Sequence, residues 1–366
     1  MKSHSRVLFI LHMPPPVHGS GMMGKYIHDS EFINSVLSTR YVNLSTSKSI
    51  KEIGGGSIKK FFRYIKIIIR VMYTLITFRP KLCYFTIAVN PPAFYKDFFL
   101  IMLIKFFSKA KIVYHFHNKG IKENKKNHLK RLYHLAFSNT NAIILSEKLY
   151  EDISDFFSRD KIFVVPNGIQ YQNFYKSEVK DNFIILFLSN LIKTKGVIEL
   201  LEACKILSDK NVKFKCWFVG GEGDISAIDF ENIKMNLNLK DNVEFLGKRY
   251  GSDKEKIFLS SSLFVFPTFY KNETFGIVNL EAMNAGIPII STDEGAISDL
   301  IENGYNGFLI EKQNSEILAE KIYYLYCNKD IAHQMGLNGR KKLLAEFTIE
   351  KFEKKLLNCL QNIIED

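Results

Sequence analysis

Two glutamates lie eight positions apart in the segment ETFGIVNLE, which spans residues 273–281. The apolar spacing predicts a helix over 275–285, with Glu273 in the preceding loop and Glu281 on the second turn. Gly276 would let a ligand approach the backbone, and free amides at a helix start attract anions. We therefore expect a phosphate-bearing ligand at the amides of Phe275, Gly276 and Ile277, with its hydroxyl groups bound by the two carboxylates. Taken alone, two glutamates at a helix start also fit a solvated helix end.

His117 follows a predicted strand at 112–116, in the segment VYHFHN. Ligands of parallel sheets bind at the carboxyl ends of strands, so His117 is a candidate for contact with the ligand. His115 lies two positions earlier, should point to the same side of the strand, and is the second choice. A histidine at a strand end is also commonly a hydrogen-bonded polar group without a catalytic role.

The segment GSGMMG at residues 19–24 matches the pattern G-x-G-x-x-G that binds dinucleotides after a first strand. Residues 14–18 make the loop longer than the tight turn of that fingerprint, and the next predicted strand, 40–44, supplies no acid for a ribose. We expect either a plain turn or a phosphate-binding loop that uses Gly19, Ser20 and Gly21 at a helix start.

Basic residues are concentrated in the first half of the chain. Residues 1–168 contain 26 Lys and Arg against 10 Asp and Glu, a balance of +16, and the remainder contains 24 against 28, a balance of −4. This asymmetry indicates an anionic partner, such as lipid or nucleic acid. Two runs of cations have helical spacing, namely Lys59, Arg63, Lys66 and Arg70, and then Lys119, Lys122, Lys126 and Lys130.

The first of these runs fits a helix that lies on an anionic membrane surface, because its charges exclude a spanning helix. A buried helix with one solvated edge fits it nearly as well. The second run starts just after His117 and could meet the diphosphate of an acceptor. Interleaved aromatic and basic motifs of known nucleic-acid-binding type are absent from the sequence, so we expect no nucleic-acid partner.

Short apolar runs alternate with amphipathic segments, a pattern typical of β-α-β units with parallel sheets. Strands are predicted at 7–11, 82–87, 112–116, 142–145 and 162–165, and, after a polar linker at 171–181, at 183–188, 213–219, 243–246, 263–266 and 287–291. Helices are predicted at 57–78, 95–107, 197–208, 275–285 and 350–364. The predicted fold class is α/β, with two doubly wound Rossmann-like lobes at 1–170 and 171–345, a ligand-binding cleft between them, and a last helix at 346–366 packing back on the first lobe.

The five cysteines are scattered and form neither a C-x-x-C pair nor a metal-ligand spacing. This favours a reduced, cytosolic protein. The apolar segment at 7–11 is too short for the core of a signal peptide.

Several segments of the second half resemble glycosyltransferase family 4, a family of retaining enzymes with the two-lobed GT-B fold. Residues 266–288 are similar to the donor-binding signature of that family. Further pieces follow in the order of the family: PNGI at 166–169, SNL and KG within 189–196, GGEG at 220–223, FLG at 245–247 and the asparagine–glycine pairs of 303–309. The resemblance covers nearly all of the second lobe and is thin in the first.

The motifs and the resemblance together give the candidate site. The resemblance implies that His117, which matches the family position beside the transferred sugar, is catalytic together with Glu273. The expected donor-binding residues are Gly19, Ser20, Gly21, Asn190, Lys195, Thr274, Phe275, Gly276, Ile277 and Glu281. Lys195 would stabilise the charge of the departing nucleoside diphosphate. The family usually has an arginine where this chain has Asn190, so either Lys195 and the helix start suffice, or Lys248 or Arg249 supplies a second cation.

The resemblance implies transfer of a sugar, with retention, from a nucleotide-diphosphate sugar such as a UDP-sugar. The expected acceptor is a glycan or a polyprenyl-diphosphate-linked glycan in bacterial-type surface polysaccharide assembly. No D-x-D pair is recognised, so we expect no metal and no cofactor. The alternatives are an NAD-dependent oxidoreductase that uses the loop at 19–24, a nucleotide-sugar epimerase of the same architecture, and an RNA-binding protein. We expect a cytoplasmic location, peripheral at the inner face of the membrane.

Overall fold

The computed structural model describes residues 5–15, 19–46, 58–124, 126–171 and 182–366. The chain forms two compact units, one of Met1–Gly168 with Ile349–Asp366 and one of Ile169–Thr348. We call them the N-terminal unit and the C-terminal unit. Most of the linker predicted at 171–181 lies outside the described residues.

The N-terminal unit contains a six-stranded parallel sheet in the order β2-β1-β3-β4-β5-β6. Strands such as β3 are buried along their whole length, because helices cover both faces of a parallel sheet. The elements, in chain order, are β1 (Arg6–Leu11), α1 (Gly19–Asp29), α2 (Glu31–Val36), β2 (Ser38–Asn43), α3 (Ile58–Phe78), β3 (Leu82–Ile87), α4 (Ala93–Phe107), β4 (Lys111–Phe116), α5 (Asn127–Phe137), β5 (Asn141–Ile144) and β6 (Ile162–Val164).

The C-terminal unit contains a second six-stranded parallel sheet, in the order β12-β11-β10-β7-β8-β9. The chain winds outward from β7 in one direction and from β10 in the other, so the crevice of this sheet opens between these two strands. The elements are β7 (Ile184–Leu188), α6 (Val197–Asp209), β8 (Lys215–Val219), α7 (Ala227–Asn236), β9 (Val243–Gly247), α8 (Gly251–Ser260), β10 (Leu263–Phe266), α9 (Ile277–Ala285), β11 (Ile289–Thr292), α10 (Ile297–Leu300), β12 (Gly307–Ile310), α11 (Ser315–Cys327) and α12 (Lys329–Glu346).

The last helix, α13 (Ile349–Glu365), belongs to the N-terminal unit. Its buried face includes Phe352, Leu356, Leu360 and Ile363. Phe352 stacks on the ring of His115 at a centroid distance of 6.5 Å, and the carbonyl of Ile363 accepts a hydrogen bond of 2.8 Å from the Lys111 ammonium. The chain therefore returns to the first sheet after completing the second unit.

The predicted strands and helices are present, with shifted ends. The strand expected at 287–291 runs as Ile289–Thr292, and the helix expected from 275 begins at Ile277. The segment 307–310, for which no strand was predicted, forms the edge strand β12 and pairs in parallel with β11. This strand has only four residues and begins at the glycine of the second asparagine–glycine pair, so its apolar run is too short to predict a strand from the sequence.

Helix α3 exposes large apolar side chains as well as cations. One face, which includes Ile67, Val71 and Leu75, is buried. The opposite face carries an exposed row that we call the α3 stripe, made of Ile58, Phe61, Phe62, Ile65, Ile69, Tyr73 and Ile76. Lys59, Lys66 and Arg70 are also exposed and fall along one side of this stripe at helical spacing. In the described part of the chain, no helix has both the length and the apolar character needed to cross a bilayer.

Asp97, on α4, is a fully buried carboxyl group of the N-terminal unit. Its Oδ2 accepts a hydrogen bond of 2.9 Å from the amide of Ala88, just beyond β3, while Oδ1 has no partner among the described residues. Burial raises the pKa of Asp97 to about 6. Because the folded protein holds this proton more tightly than the unfolded chain, the carboxyl group favours folding most at low pH, and this contribution is lost as the pH rises through about 6.

We predict that Asp97→Asn removes this pH dependence, because the amide keeps an acceptor for Ala88 and never ionises. Between pH 4.5 and 7.5 the unfolding free energy of the wild type should fall by about 2 kcal/mol relative to the variant. Urea unfolding of both proteins at the two pH values measures the difference. Parallel pH profiles would show that Asp97 titrates in the folded protein as it does in the unfolded chain.

Candidate active site

The loops that follow β7 and β10 are packed against each other at the crevice of the second sheet. Gly196 has φ +88°, and a Cβ there would lie 2.4 Å from the carbonyl oxygen of Pro267. The amide of Phe269 donates a hydrogen bond of 2.8 Å to the carbonyl of Thr194. Only glycine allows this approach, so the residue beside it, Lys195, is fixed against the loop after β10.

Lys195 forms an ion pair with Glu273, in agreement with their predicted presence in one site. Both side chains are mostly buried, at 14% and 12% exposure. The Lys195 ammonium also lies 4.3 Å from the centroid of the Tyr270 ring and 5.5 Å from that of Phe266. The two aromatic faces and the carboxylate hold the cation in place, and the pair as a whole is electrically neutral.

The start of α9 presents free backbone amides. Gly276 is the residue before the helix and has φ +65°, which turns the chain into it. Within the described residues, the amides of Phe275, Gly276 and Ile277 have no hydrogen-bond acceptor. Phe275 and Gly276 are buried residues, and buried amides without partners are uncommon in folded proteins. Together with the helix dipole, they form a ready site for an anion.

The segment before α9 is held in place by a second glycine-containing loop, which was not predicted from the sequence. Gly295 has φ +62°, and a Cβ there would lie 2.4 Å from the carbonyl oxygen of Glu273. The carbonyl of Thr274, which is a buried residue, accepts a hydrogen bond of 2.8 Å from the amide of Ala296. The loop after β11 therefore sets the position of the predicted residues Glu273 and Thr274. The only signal in the sequence was Gly295 after a strand.

Glu281, on α9, is paired with Lys254 of α8. The ammonium lies 2.5 Å from Oε1, and both side chains are about one quarter exposed, at 27% and 24%. The carboxylate therefore has one oxygen that accepts from Lys254 and a second that is available to a ligand. Lys254 was not among the predicted site residues, because nothing in local spacing relates α8 to α9.

Asn190 has a structural contact in the loop after β7. Its Oδ1 accepts a hydrogen bond of 3.0 Å from the amide of Gly221, beyond β8. The neighbouring residue, Leu191, donates from its amide to the carbonyl of the same glycine at 2.8 Å. Asn190 thus joins two adjacent loops, and its side-chain oxygen is already used.

Asn279, on the first turn of α9, was not predicted to be part of the site. It is fully buried, and neither Nδ2 nor Oδ1 has a hydrogen-bond partner in the described part of the chain. A Cβ on Gly276 would lie 2.6 Å from Nδ2, so the amide group lies directly against the helix start. A fully buried polar group without partners is uncommon, and here it lies beside the free backbone amides.

In the N-terminal unit, His117 lies just beyond β4 and is half-buried. Its ring is 4.1 Å from that of His115, as expected for residues on one side of a strand. His115 itself is fully buried, and its Nδ1 is hydrogen-bonded to the Tyr84 hydroxyl at 2.5 Å. Burial holds the pKa of His115 well below its usual range, so this second-choice residue is a neutral core histidine.

The residues Gly19, Ser20 and Gly21 form the first turn of α1, after residues 16–18, which lie outside the described ranges. Gly24 packs that helix onto the end of β1, since a Cβ there would lie 1.9 Å from the carbonyl oxygen of His12. Strand β2 ends at Asn43, whose Oδ1 accepts hydrogen bonds from the amides of Met13 and Ser45. An engaged amide at this place disfavours the dinucleotide alternative, which needs a carboxylate there.

The second run of lysines does not form one helix, which corrects the expectation from its spacing. Helix α5 begins at Asn127, so of the four only Lys130 lies within it. The amides of Gly120, Ile121 and Lys122 instead donate to the carboxylate of Asp152. This anchored turn interrupts the helical periodicity.

Comparison with known proteins shows what the C-terminal unit is similar to. The sequence model described as "Glycosyl transferases group 1" matches residues 170–342. The capsular polysaccharide biosynthesis glycosyltransferase CapM of Staphylococcus aureus is 29% identical over 246 residues, which cover 63% of each chain. Residues 170–342 are therefore similar to the glycosyl transferases group 1 family.

Two solved structures share the fold of the whole chain. A glycosyltransferase from Rickettsia africae ESF-5 aligns over 100% of both chains with a TM-score of 0.78 and 20% identity. The Anabaena protein Alr3699/HepE, solved in complex with UDP-glucose, aligns over 98% of this chain and 100% of its own with a TM-score of 0.76 and 18% identity. These similarities show the GT-B fold with its two Rossmann-like lobes, as the sequence predicted.

The group 1 segment contains Asn190, Lys195 and every candidate residue of α9 and its preceding loop. The candidates of the N-terminal unit, including His117, lie outside the matched residues. The aligned region spans only 63% of the length of CapM and 61% of that of a second relative, an uncharacterized glycosyltransferase of Methanocaldococcus jannaschii.

We predict that Gly196→Ala disrupts the site around Lys195, because the added methyl group clashes with the carbonyl of Pro267 and separates the loops after β7 and β10. A left-handed backbone alone costs an alanine about 1–2 kcal/mol, and the clash adds to this. Gly304→Ala is the matched control, since Gly304 has φ +80° with nothing within 4 Å of a Cβ. Urea unfolding and nucleoside-diphosphate binding are measured for both. Equal losses in the two variants would show that the Pro267 contact has no special importance.

Proposed function

We propose that this protein is a retaining glycosyltransferase that transfers a sugar from a nucleotide-diphosphate sugar, by preference a UDP-sugar, to a glycan or lipid-linked glycan acceptor. The proposal places it in the assembly of a bacterial-type surface polysaccharide. The main observation in its support is that Lys195, after β7, pairs with Glu273, after β10, just before a helix start whose amides have no acceptor among the described residues. Glu281 lies on the second turn of the same helix. It is supported by the match to glycosyl transferases group 1 and by the similarity to the capsular polysaccharide biosynthesis glycosyltransferase CapM.

The proposed reaction uses these groups in distinct ways. The bond between the anomeric carbon and the donor diphosphate breaks, and the diphosphate keeps the electron pair. The amides of Phe275, Gly276 and Ile277 and the Lys195 ammonium stabilise that charge. The acceptor hydroxyl oxygen bonds to the anomeric carbon, and its proton passes to the departing diphosphate. No metal is part of this proposal.

The carboxylates bind the neutral parts of the donor. Glu281 accepts hydrogen bonds from the vicinal ribose hydroxyls through the oxygen that Lys254 does not occupy. Glu273 accepts from hydroxyl groups of the transferred sugar. His117, at the carboxyl end of β4, is proposed to orient the sugar or to stabilise positive charge at its anomeric carbon.

We propose that the protein works at the inner face of a membrane, where the α3 stripe contacts lipid. The seven apolar side chains of the stripe are 37–77% exposed, and a row of cations flanks them. An apolar face beside basic residues is the arrangement by which helices lie in a bilayer interface with anionic lipids. The basic N-terminal unit would then also be suited to a diphosphate-linked acceptor.

We predict that Lys195→Ala and Glu281→Ala each lower transfer from a UDP-sugar at least a hundredfold, since each removes a contact to a charged or polar part of the donor. UDP release in the presence of an acceptor extract, with EDTA added, measures transfer. Circular dichroism and thermal unfolding verify folding. Near-normal turnover in both variants would refute the proposed site, and release of UDP without an acceptor would favour hydrolysis.

We predict that Phe62→Ser with Ile69→Ser weakens vesicle binding about tenfold or more, because each side chain contributes over 1 kcal/mol of apolar burial. Co-sedimentation with phosphatidylcholine vesicles, with and without phosphatidylglycerol, measures the binding. Ile228→Ser with Met235→Ser, which removes two exposed apolar side chains of α7, is the matched control.

The contribution of charge is tested separately at the same helix. Replacing Lys59, Lys66 and Arg70 by Gln should reduce binding only to vesicles that contain phosphatidylglycerol. Arg63 is left intact, because its guanidinium donates a hydrogen bond of 2.7 Å to the carbonyl of Thr46. Unchanged sedimentation in both sets of variants would exclude the α3 stripe as a membrane contact.

A further inference from the structure

The ends of β7, β8 and β9 meet around a glycine whose missing side chain makes room for Lys248. A Cβ on Gly221 would lie 2.4 Å from Cε of Lys248 and 3.3 Å from its Nζ, and 3.1 Å from Oδ1 of Asn190. The amide of Gly220 donates a hydrogen bond of 3.0 Å to the carbonyl of Gly247, which fixes the start of the segment that carries Lys248. The ammonium of Lys248 therefore lies over Gly221 and beside Asn190.

The charges at this edge of the sheet are not equivalent. The ammonium groups of Lys195 and Lys254 are each paired with a glutamate. Lys248 forms no ion pair with any residue of the described ranges. A diphosphate carries more than one negative charge. Lys195 and Lys254 can attract it only by giving up part of their interaction with their glutamate partners. An unpaired cation at the same edge is the group that can neutralise it without such an exchange.

We propose that Lys248 binds the donor diphosphate and supplies the positive charge that Asn190 lacks. This assignment rests on the proposed function. The sequence left three options open, namely Lys195 with the helix start alone, Lys248, or Arg249, and this assignment selects Lys248. Both residues are exposed, but the Arg249 guanidinium donates to the carbonyl of Lys248 at 3.1 Å, whereas the Lys248 ammonium lies over Gly221.

Lys248 could also serve only to cover Gly221 with its methylene groups. Methionine keeps an unbranched chain of similar length and removes the charge, so Lys248→Met separates the two roles. Lys248→Arg keeps the charge. Arg249→Met removes the neighbouring cation and tests the alternative residue directly.

The test is isothermal titration of the four proteins with UDP and with uridine, each at low and at high salt. Lys248→Met should weaken UDP binding by about ten- to a hundredfold, the range for hydrogen bonds to charged groups, and should leave uridine binding unchanged. Lys248→Arg and Arg249→Met should bind UDP within a few-fold of the wild type. The difference between wild type and Lys248→Met should shrink at high salt.

Three results would overturn the assignment. These are wild-type UDP binding by Lys248→Met, an equal loss for UDP and uridine, and a loss in Arg249→Met instead. All three leave the proposed function intact, because the wild type still binds UDP. If the wild type bound none of UDP, GDP and dTDP, the proposed function would fail and the assignment with it.

Discussion

The contact between Gly196 and Pro267 is the constraint on which the C-terminal site depends. Strands β7 and β10 are neighbours in the sheet, and their loops would normally separate to admit side chains between them. Because Gly196 has none, the loops touch, and Lys195 reaches the segment that carries Tyr270 and Glu273. Gly295 acts in the same way, because its missing side chain lets a third loop, the one after β11, contact Glu273. Gly196 and Gly295 therefore bring together loops that side chains at these two positions would hold apart.

Paired charges give this site a particular electrostatic character. Lys195 with Glu273 and Lys254 with Glu281 are each neutral as pairs, so the site can be folded and partly buried without an uncompensated charge. A ligand that binds Lys195 or Lys254 exchanges places with their glutamate partners. The helix start and Asn279 are different, because their polar groups have no partners in the described chain. These groups are preorganised for a ligand.

The sequence was most informative where one local pattern decides the structure. Buried strands such as β1 and β3 are continuous apolar runs. In the segment ETFGIVNLE, residues 273–281, Gly276 marks the start of the helix. Prediction from the sequence failed where tertiary contacts decide the structure. The periodicity of the second lysine run could not reveal that Asp152 binds three consecutive amides and ends the helical pattern. The pairing of Lys254 with Glu281 and the place of Lys248 over Gly221 depend on loop ends that meet only in the folded sheet.

The exposed row of large side chains on α3 has a consequence away from any bilayer. Apolar patches of this kind drive self-association of molecules in water, and salts such as sulfate strengthen that attraction. Purification by sulfate precipitation would therefore favour aggregates of this protein. Mild detergent, which covers the helix, should keep it dispersed.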